Sequence, residues 1–374
     1  MGSAIAYFLM ELGFDGTVLV LERDMSYAQS STALSASGIR QQFSSPLNVK
    51  ISQFGAAFIK AAPERWGVDL NLRENGYLYL ANTAEGADIL RENHAMQVGE
   101  GADTALMDRA DLAEAFPHLR LDDILMGSHG RSNEGWFDGV GLMQGMRTAA
   151  RTAGVKYIND EVVGVDVAGE QVSGVQLASG RAVTCGVLVN AAGPRAAAIA
   201  KMAGIHIPVE PHKRTNFLFD CADPPKGELP LMIDPTGVWC RPEGQHFLTA
   251  CVPEDDPAVA FDDFEPRHQD FEDIIWPALA ARSPNFEAIK ITRFWAGHYA
   301  YNLLDQNAVV GPHPDVSNFL FANGFSGHGL QQSPAVGRAL AECITYGEFR
   351  SLDFIPFGYE RVLTNSPLLE RCVI

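Results

Sequence analysis

The stretch Gly2–Arg23, GSAIAYFLMELGFDGTVLVLER, is the one whose reading decides the fold. Ala4, Ile5, Phe8, Leu9 and Leu12 recur at helical spacing, so they share one apolar face, and Gly13 stops the helix. A short β-rich run, 17–21, follows and ends in Glu22. Helix, glycine, strand and then a carboxylate make up the second half of a dinucleotide-binding β–α–β unit. Glu22 stands about 20 residues after Gly2, the spacing at which a carboxylate meets an adenosine ribose. The Gly2-Ser3 head of the helix offers bare backbone N–H groups to a pyrophosphate. No strand and no earlier glycines precede Gly2, so on this reading the chain starts inside the motif, about thirty residues short of a full unit.

Downstream, a Ser/Thr/Ala-rich loop, 26–38, leads into a helix of about 20 residues with Leu47, Ile51, Phe54 and Phe58 on its buried side. Residues 77–80 read as a strand after the Asn75-Gly76 turn, 83–117 as polar and helical, and 139–153 as an amphipathic helix. From 156 to 184 short strands alternate with turns, which reads as a β-meander. The run 186–189 is continuously apolar, as in a parallel sheet covered on both faces, and enters Ala191-Ala192-Gly193. Residues 214–219, 237–241, 246–251 and 289–296 read as strands of a second, antiparallel sheet, with a helix around 268–281. A last strand, 319–322, enters the glycine-rich turn 323–329 and a helix over 331–345.

Composition bounds the class. The 374 residues are enough for about two domains. Acidic residues number 46 against 28 basic ones, for a net charge of −18, which argues against a nucleic-acid backbone as partner. No apolar run reaches the roughly 20 residues that span a bilayer. No secretory, myristoylation or prenylation signal is present. The six cysteines (185, 221, 240, 251, 343 and 372) form no CxxC pair and no metal-ligand spacing, so no metal is expected and the thiols read as reduced and structural. A cytoplasmic, soluble protein is the expectation.

The turn Asn323-Gly324-Phe325-Ser326-Gly327-His328-Gly329 is the most specific signal. Three glycines in seven residues at a strand-to-helix junction present backbone donors and a positive helix end to an anion or a polarised carbonyl. A reduced flavin develops negative charge that such an end stabilises. The plainer reading is a tight connection whose glycines merely allow positive φ.

Taken together, four segments resemble the FAD-dependent oxidoreductase family that includes glycine and D-amino acid oxidases and sarcosine oxidases and dehydrogenases. They are Gly2-Ser3 through Glu22-Arg23; Ser30-Ser31-Thr32 to Gly38-Ile39-Arg40; Val189-Asn190-Ala191-Ala192-Gly193-Pro194; and Gly324 to Gly329. Within the family the chain looks most like the mitochondrial FAD-dependent oxidoreductases implicated in complex I assembly and their bacterial relatives. The resemblance implies an α/β fold: a Rossmann-like FAD-binding domain interleaved with an α+β substrate domain whose antiparallel sheet roofs the flavin. The FAD domain would take 1–70, 136–206 and 303–374, and the substrate domain 71–135 and 207–302. Glu22 would hold the ribose and Arg23 flank adenine, with Val162 meeting adenine through its backbone. Ser31, Thr32, Ser37 and Gly38 would line the pyrophosphate and flavin. Ala192 and Gly193 would pass close to the dinucleotide. Gly324 and Ser326 shape the last turn, and Gly327, His328, Gly329 and Leu330 would face the pyrimidine end of the flavin. The absent first strand leads to the expectation that this chain holds FAD poorly.

Departures from the family sharpen the expectation. Positions that carry a covalent flavin link in some members match His298 and Ser35 here, which implies noncovalent FAD. The arginine that amino acid oxidases place after Trp-Ala-Gly is Tyr299, and the lysine of sarcosine oxidases is Gln331. Arg40 and Arg241 are left as candidate carboxylate clamps, since a guanidinium binds a carboxylate through two parallel hydrogen bonds; structural salt bridges are the alternative. His298 is the candidate for proton transfer, and Tyr299 a candidate cavity wall. The expected activity is oxidation of the C–N bond of a small amine or amino acid, secondary or N-methyl amines favoured. No lysine lies between Arg241 and Pro257, which favours a dehydrogenase with an acceptor other than oxygen over an oxidase. Oxidation of a 2-hydroxy acid, or an assembly factor with little turnover, are the rival readings.

Overall fold

A computed structural model describes residues 1–371. The opening helix, Gly2–Glu11, buries Ala4, Ile5, Phe8 and Leu9. It packs against the helices Gly139–Thr152 and Gly329–Tyr346. The last contact is backbone-close: a Cβ on Gly337 would lie 2.8 Å from Ala4, so only glycine lets the two helices approach this far. Ile5, Phe8, Phe58, Val336 and Leu340 form the centre of this core.

Strand Leu19–Glu22 runs parallel to Lys156–Asn159, with Leu19 opposite Lys156. The first strand of the expected meander therefore leaves it, and Val162–Ala168, Gln171–Leu177 and Ala182–Thr184 form the three-stranded antiparallel sheet that remains. Leu188–Asn190 runs parallel to Phe319–Asn323, which pairs on its other side with Val309–Pro312. The parallel setting expected for this apolar run is thus present.

The second layer is one eight-stranded sheet. Its strands, in spatial order, are Ile289–Asn302, Val209–Cys221, His246–Ala250, Trp239–Glu243, Leu231–Ile233, Tyr77–Ala81, Met126–Gly130 and Thr104–Met107. The four stretches read as an antiparallel sheet do pair antiparallel throughout, and the sheet continues beyond them through a parallel join between Leu231–Ile233 and Tyr77–Ala81. Residues 83–117 are corrected: they form two helices, Ala84–Gly99 and Arg109–Ala115, separated by the edge strand Thr104–Met107. Asp108 restarts the helix through a capping box with Asp111, a local signal hidden in a uniformly polar stretch. The helix of about 20 residues breaks into Pro46–Lys60 and Ala62–Trp66, and 268–281 opens with a π-helical turn, Phe271–Ile275, before Trp276–Arg282.

Among the described residues no helix is long and apolar enough to cross a membrane. Cys185, Cys221, Cys240, Cys251 and Cys343 are free thiols, and Cys372 lies outside the described residues.

Candidate functional site

The head of the Gly2–Glu11 helix, the strand end at Glu22 and the 191–193 turn occupy one corner. A Cβ on Gly2 would meet only the Ala191 methyl, at 4.0 Å, and one on Gly193 would meet nothing within 4 Å. Asn190 ties this corner to the glycine-rich turn: its Oδ1 accepts from Ala192 N–H at 3.2 Å and from Asn323 Nδ2 at 3.4 Å. Val162 and Leu21 pack on the same apolar cluster. Arg23 is exposed and lends its carbonyl to Asn159 Nδ2. Tyr157 Oη donates to the Ser3 hydroxyl at 3.2 Å, so the Ser3 side chain is engaged within the fold.

The glycine-rich turn is left-handed at Gly324 (φ +70°), Ser326 (+47°) and Gly327 (+96°). Ser326 Oγ accepts from Asn302 N–H at 2.9 Å, and Ser326 N–H donates to the Ala300 carbonyl at 3.0 Å. The turn is thereby laced to the end of the long strand Ile289–Asn302. It delivers His328 as N-cap of the 18-residue helix Gly329–Tyr346, with no side chain capping the end. The first N–H groups of that helix, from Gly329 and Leu330, have no intrahelical acceptor and form the positive end of its dipole. Leu330 and Ser37 meet over Gly139, where a Cβ would lie 2.4 and 2.8 Å from them.

Loop 30–38 runs across the roof sheet. Ser31 Oγ donates to the His298 carbonyl at 2.8 Å, and Trp295 Nε1 donates to the Leu34 carbonyl at 3.0 Å. Thr32 supplies its carbonyl to Ser35 N–H at 3.4 Å. Ser37 is held at φ +55°, and a Cβ on the next residue, Gly38, would lie 1.9 Å from the Tyr77 hydroxyl.

Beside these turns the fold gathers a group far apart in sequence: Arg40, Arg241 and Tyr299 all lie near enough to act on the Tyr77 phenol, and Arg40 also acts on Tyr299. Arg40 is buried; its Nη2 lies 2.9 Å from His328 Nε2, its N–H donates to Gln331 Oε1 at 2.8 Å, and its guanidinium sits 4.1 Å from the Phe43 ring centre. Arg241 is also buried, donates to the Ala36 and Pro242 carbonyls at 2.9 Å each, pairs with the Glu243 carboxylate, and covers the Trp136 ring at 4.8 Å. Its Nε has no hydrogen-bond partner among the described residues. The Tyr299 ring lies against Gly327, 2.6 Å from where a Cβ would stand, and the Arg214 guanidinium is 5.1 Å from its centre.

His298 does not join this group. Neighbouring residues of a strand point to opposite faces. The His298 ring stacks on Phe264 at 4.2 Å with Nε2 at 2.7 Å from the Asp263 carbonyl, while Tyr299 faces the glycine turn. The candidate for proton transfer is therefore corrected: the side chain sits behind the roof, and its backbone carbonyl, held by Ser31, is its link to the site.

Burial, and then the Arg40 charge, hold the His328 imidazole well below its ordinary 6.5. The neutral ring accepts from Arg40 at Nε2 and so carries its proton on Nδ1. Because the folded-state value is depressed, protons bind the unfolded chain first, and stability present above pH 6.5 is lost as pH falls below it. Urea midpoints measured between pH 8 and pH 5 (roughly spanning the imidazole range) should fall more for the parent chain than for a His328→Gln variant; equal slopes would contradict this assignment.

Tyr77, Trp136 and Gln331 belong to this cluster although no local pattern marks them. Tyr77 reads only as a strand aromatic, and Gln331 only as a missing lysine, whereas in the fold it fixes the Arg40 backbone.

This geometry defines a flavoprotein oxidoreductase: two helix N-termini, two glycine turns and a carboxylate at a strand end, roofed by a sheet that supplies arginines and tyrosines. The chain belongs to the FAD dependent oxidoreductase family (DAO), whose sequence profile it matches over residues 1–343. It is 39% identical to "FAD-dependent oxidoreductase domain-containing protein 1" of Bos taurus, over 100% of this chain and 85% of that protein. It is 23% identical to human mitochondrial sarcosine dehydrogenase, over 93% of this chain and 39% of that protein. Its fold superposes on L-proline dehydrogenase from P. horikoshii with a TM-score of 0.86 and 26% identity, covering 97% and 95% of the two chains. The chain is an FAD-dependent enzyme of the amine and amino acid oxidase and dehydrogenase type. The residues present fit that cofactor: a Cβ on Gly2 would touch only the Ala191 methyl at 4.0 Å and one on Gly193 nothing within 4 Å, and helix-end N–H groups are the donors a phosphate or flavin carbonyl requires.

Proposed function

We propose that this enzyme oxidises the C–N bond of a small amino acid whose nitrogen is secondary or N-methylated, and that it holds FAD noncovalently. The observation that carries the reading is the convergence of buried Arg40 and Arg241 with Tyr77 and Tyr299 beside the glycine turn. The relatives named sarcosine dehydrogenase, dimethylglycine dehydrogenase and L-proline dehydrogenase support the substrate class.

FAD, when bound, supplies the hydride acceptor at its N5. Gly2, Glu22, Arg23, Ala192 and Gly193 would hold its dinucleotide portion, and Ser37, Gly38 and residues 327–330 its flavin. Arg241, fixed by Glu243 and the Ala36 carbonyl, binds the substrate carboxylate with Arg40, and Tyr77 and Tyr299 wall the cavity against water. The amine must be neutral, so that its carbon can give up a hydride while the nitrogen releases its proton to solvent; the resulting imine is hydrolysed. Neutral His328 adds no charge of its own and keeps Arg40 in place.

The test is anaerobic bleaching of the holoprotein by a panel of N-methyl amino acids and proline. Bleaching by these, with slow recovery in air, is expected. Rapid reoxidation with peroxide release would make the enzyme an oxidase, and bleaching by 2-hydroxy acids but by no amine would overturn the substrate class. Acid precipitation should leave the flavin in the supernatant. Arg241→Met should raise KM about 10–100-fold for an amino acid, from the loss of charge-assisted hydrogen bonds, and leave the KM of a carboxylate-free amine unmoved.

A further inference from the structure

Glu134 is 1% exposed. Its carboxyl is met by donors. Gln41 N–H donates to Oε1 at 2.7 Å and Gln42 Nε2 to Oε2 at 2.9 Å; the Tyr77 backbone N–H also bonds to it. The Glu134 carbonyl takes Gly76 N–H at 3.1 Å. The Gln42 side chain extends the clasp, donating to the Tyr77 carbonyl at 3.0 Å and accepting from Ser128 Oγ at 2.8 Å. Space for the carboxyl exists only because residue 130 is glycine: a Cβ there would lie 2.0 Å from Oε2.

The carboxyl therefore fastens Gln41 and the Gln42 side chain on one segment and Tyr77 on the other, where the Glu134 main-chain carbonyl also holds Gly76, and the two segments carry Arg40 and Tyr77 into the cluster. Three converging N–H donors suit a carboxylate; a carboxylic acid or an amide puts a hydrogen where an acceptor is wanted. From these contacts we infer that Glu134 is a positioning residue for substrate-carboxylate binding, acting through Arg40 and Tyr77 without touching the substrate. The inference rests on the amino-acid reading above.

It has a pH signature. Burial pushes the Glu134 carboxyl up to about 7, against which its hydrogen bonds and the Arg40 charge act. The titratable and charged groups around it are Arg40, the Tyr77 phenol and, across these, Arg241, Tyr299 and His328. Burial raises both phenols and lowers His328, so that these groups keep their charge near neutrality while Glu134 changes its own. Protonating Glu134 breaks the donor pattern and loosens the clasp.

The experiment titrates acetate, a carboxylate that cannot be oxidised here, into FAD-loaded protein and reads the visible spectrum of the flavin at pH values from about 6 to 8, on either side of neutrality. The parent chain should bind acetate about tenfold more weakly at the acid end. Glu134→Gln should bind weakly at every pH, and Glu134→Asp, which keeps the charge, should recover part of the affinity and the pH dependence. Equal acetate affinity and an equal pH profile in the parent and Glu134→Gln would overturn the inference and leave the amino-acid reading standing. Failure of the parent to bind any carboxylate would overturn both. Should Glu134→Gln not fold, a pH-independent affinity in the parent is sufficient to overturn it.

Discussion

Gly327→Ala should weaken the binding of added FAD by at least about tenfold, each 1.4 kcal/mol lost being a factor of ten. Residue 327 is held at φ +96°, a conformation that costs a residue with a Cβ about 1–2 kcal/mol. The new methyl would also stand 2.6 Å from Tyr299 Cε2 and 2.7 Å from its Cζ, an overlap that must be relieved. Overpacking of this kind costs typically about 1–3 kcal/mol. Relief means moving the Tyr299 ring off the turn or opening the turn itself, and either disturbs the donors that would face the flavin. Gly169→Ala, in the hairpin turn between Val162–Ala168 and Gln171–Leu177, is the control. It too has positive φ, +63°, but a Cβ there would meet nothing within 4 Å, so it carries the backbone cost alone. Flavin titration of the two variants separates the effects; an unchanged FAD affinity for Gly327→Ala would show that the turn does not face the cofactor.

Local order made part of this protein legible in its sequence. The apolar face of Gly2–Glu11, the stop at Gly13 and the carboxylate at Glu22 lie within one β–α–β span, and the 323–329 turn announces itself by its glycines. Each is a short-range pattern with one good structural solution. The cleft is different. Arg40, Tyr77, Arg241 and Tyr299 meet only because strands from two separated stretches share a sheet, through the parallel join of Leu231–Ile233 to Tyr77–Ala81. No periodicity encodes that join.

Parity explains the error over His298. Adjacent residues of a strand face opposite ways, and choosing between His298 and Tyr299 requires knowing which face of Ile289–Asn302 looks at the glycine turn. Both faces carry aromatic and polar residues there, so alternation gives no answer. Glu134 was invisible for a related reason: its three donors come from residues 41, 42 and 77, so its role exists only in the folded chain.

The glycine turn is also braced from behind, and Arg361→Met should show it by lowering stability about 3–5 kcal/mol, the cost of breaking a buried ion pair from one side. The Asp305 side chain is fully buried and Arg361 is 7% exposed; Arg361 Nε meets Asp305 Oδ2 at 2.8 Å. The same guanidinium caps the Phe357, Asn307 and Ala308 carbonyls at 2.8, 2.9 and 2.9 Å. Asp305 in turn accepts from Asn302 Nδ2 at 3.1 Å and from Leu368 N–H at 3.0 Å. Asn302 is the residue whose N–H holds Ser326 Oγ, so the chain of bonds runs from Arg361 into the turn that presents Gly327. Methionine keeps the bulk of the side chain and removes the charge, leaving a carboxylate without its counter-ion in a place water does not reach. Urea denaturation followed by tryptophan fluorescence should place the variant midpoint well below that of the parent chain. FAD affinity should fall with it, because the Ser326 anchor loosens even in molecules that remain folded. A Asp305→Asn substitution added to Arg361→Met removes the stranded charge and should return part of the lost stability. A loss below about 1 kcal/mol in the single variant, the level of an exposed pair, would mean that the ion pair carries none of this load.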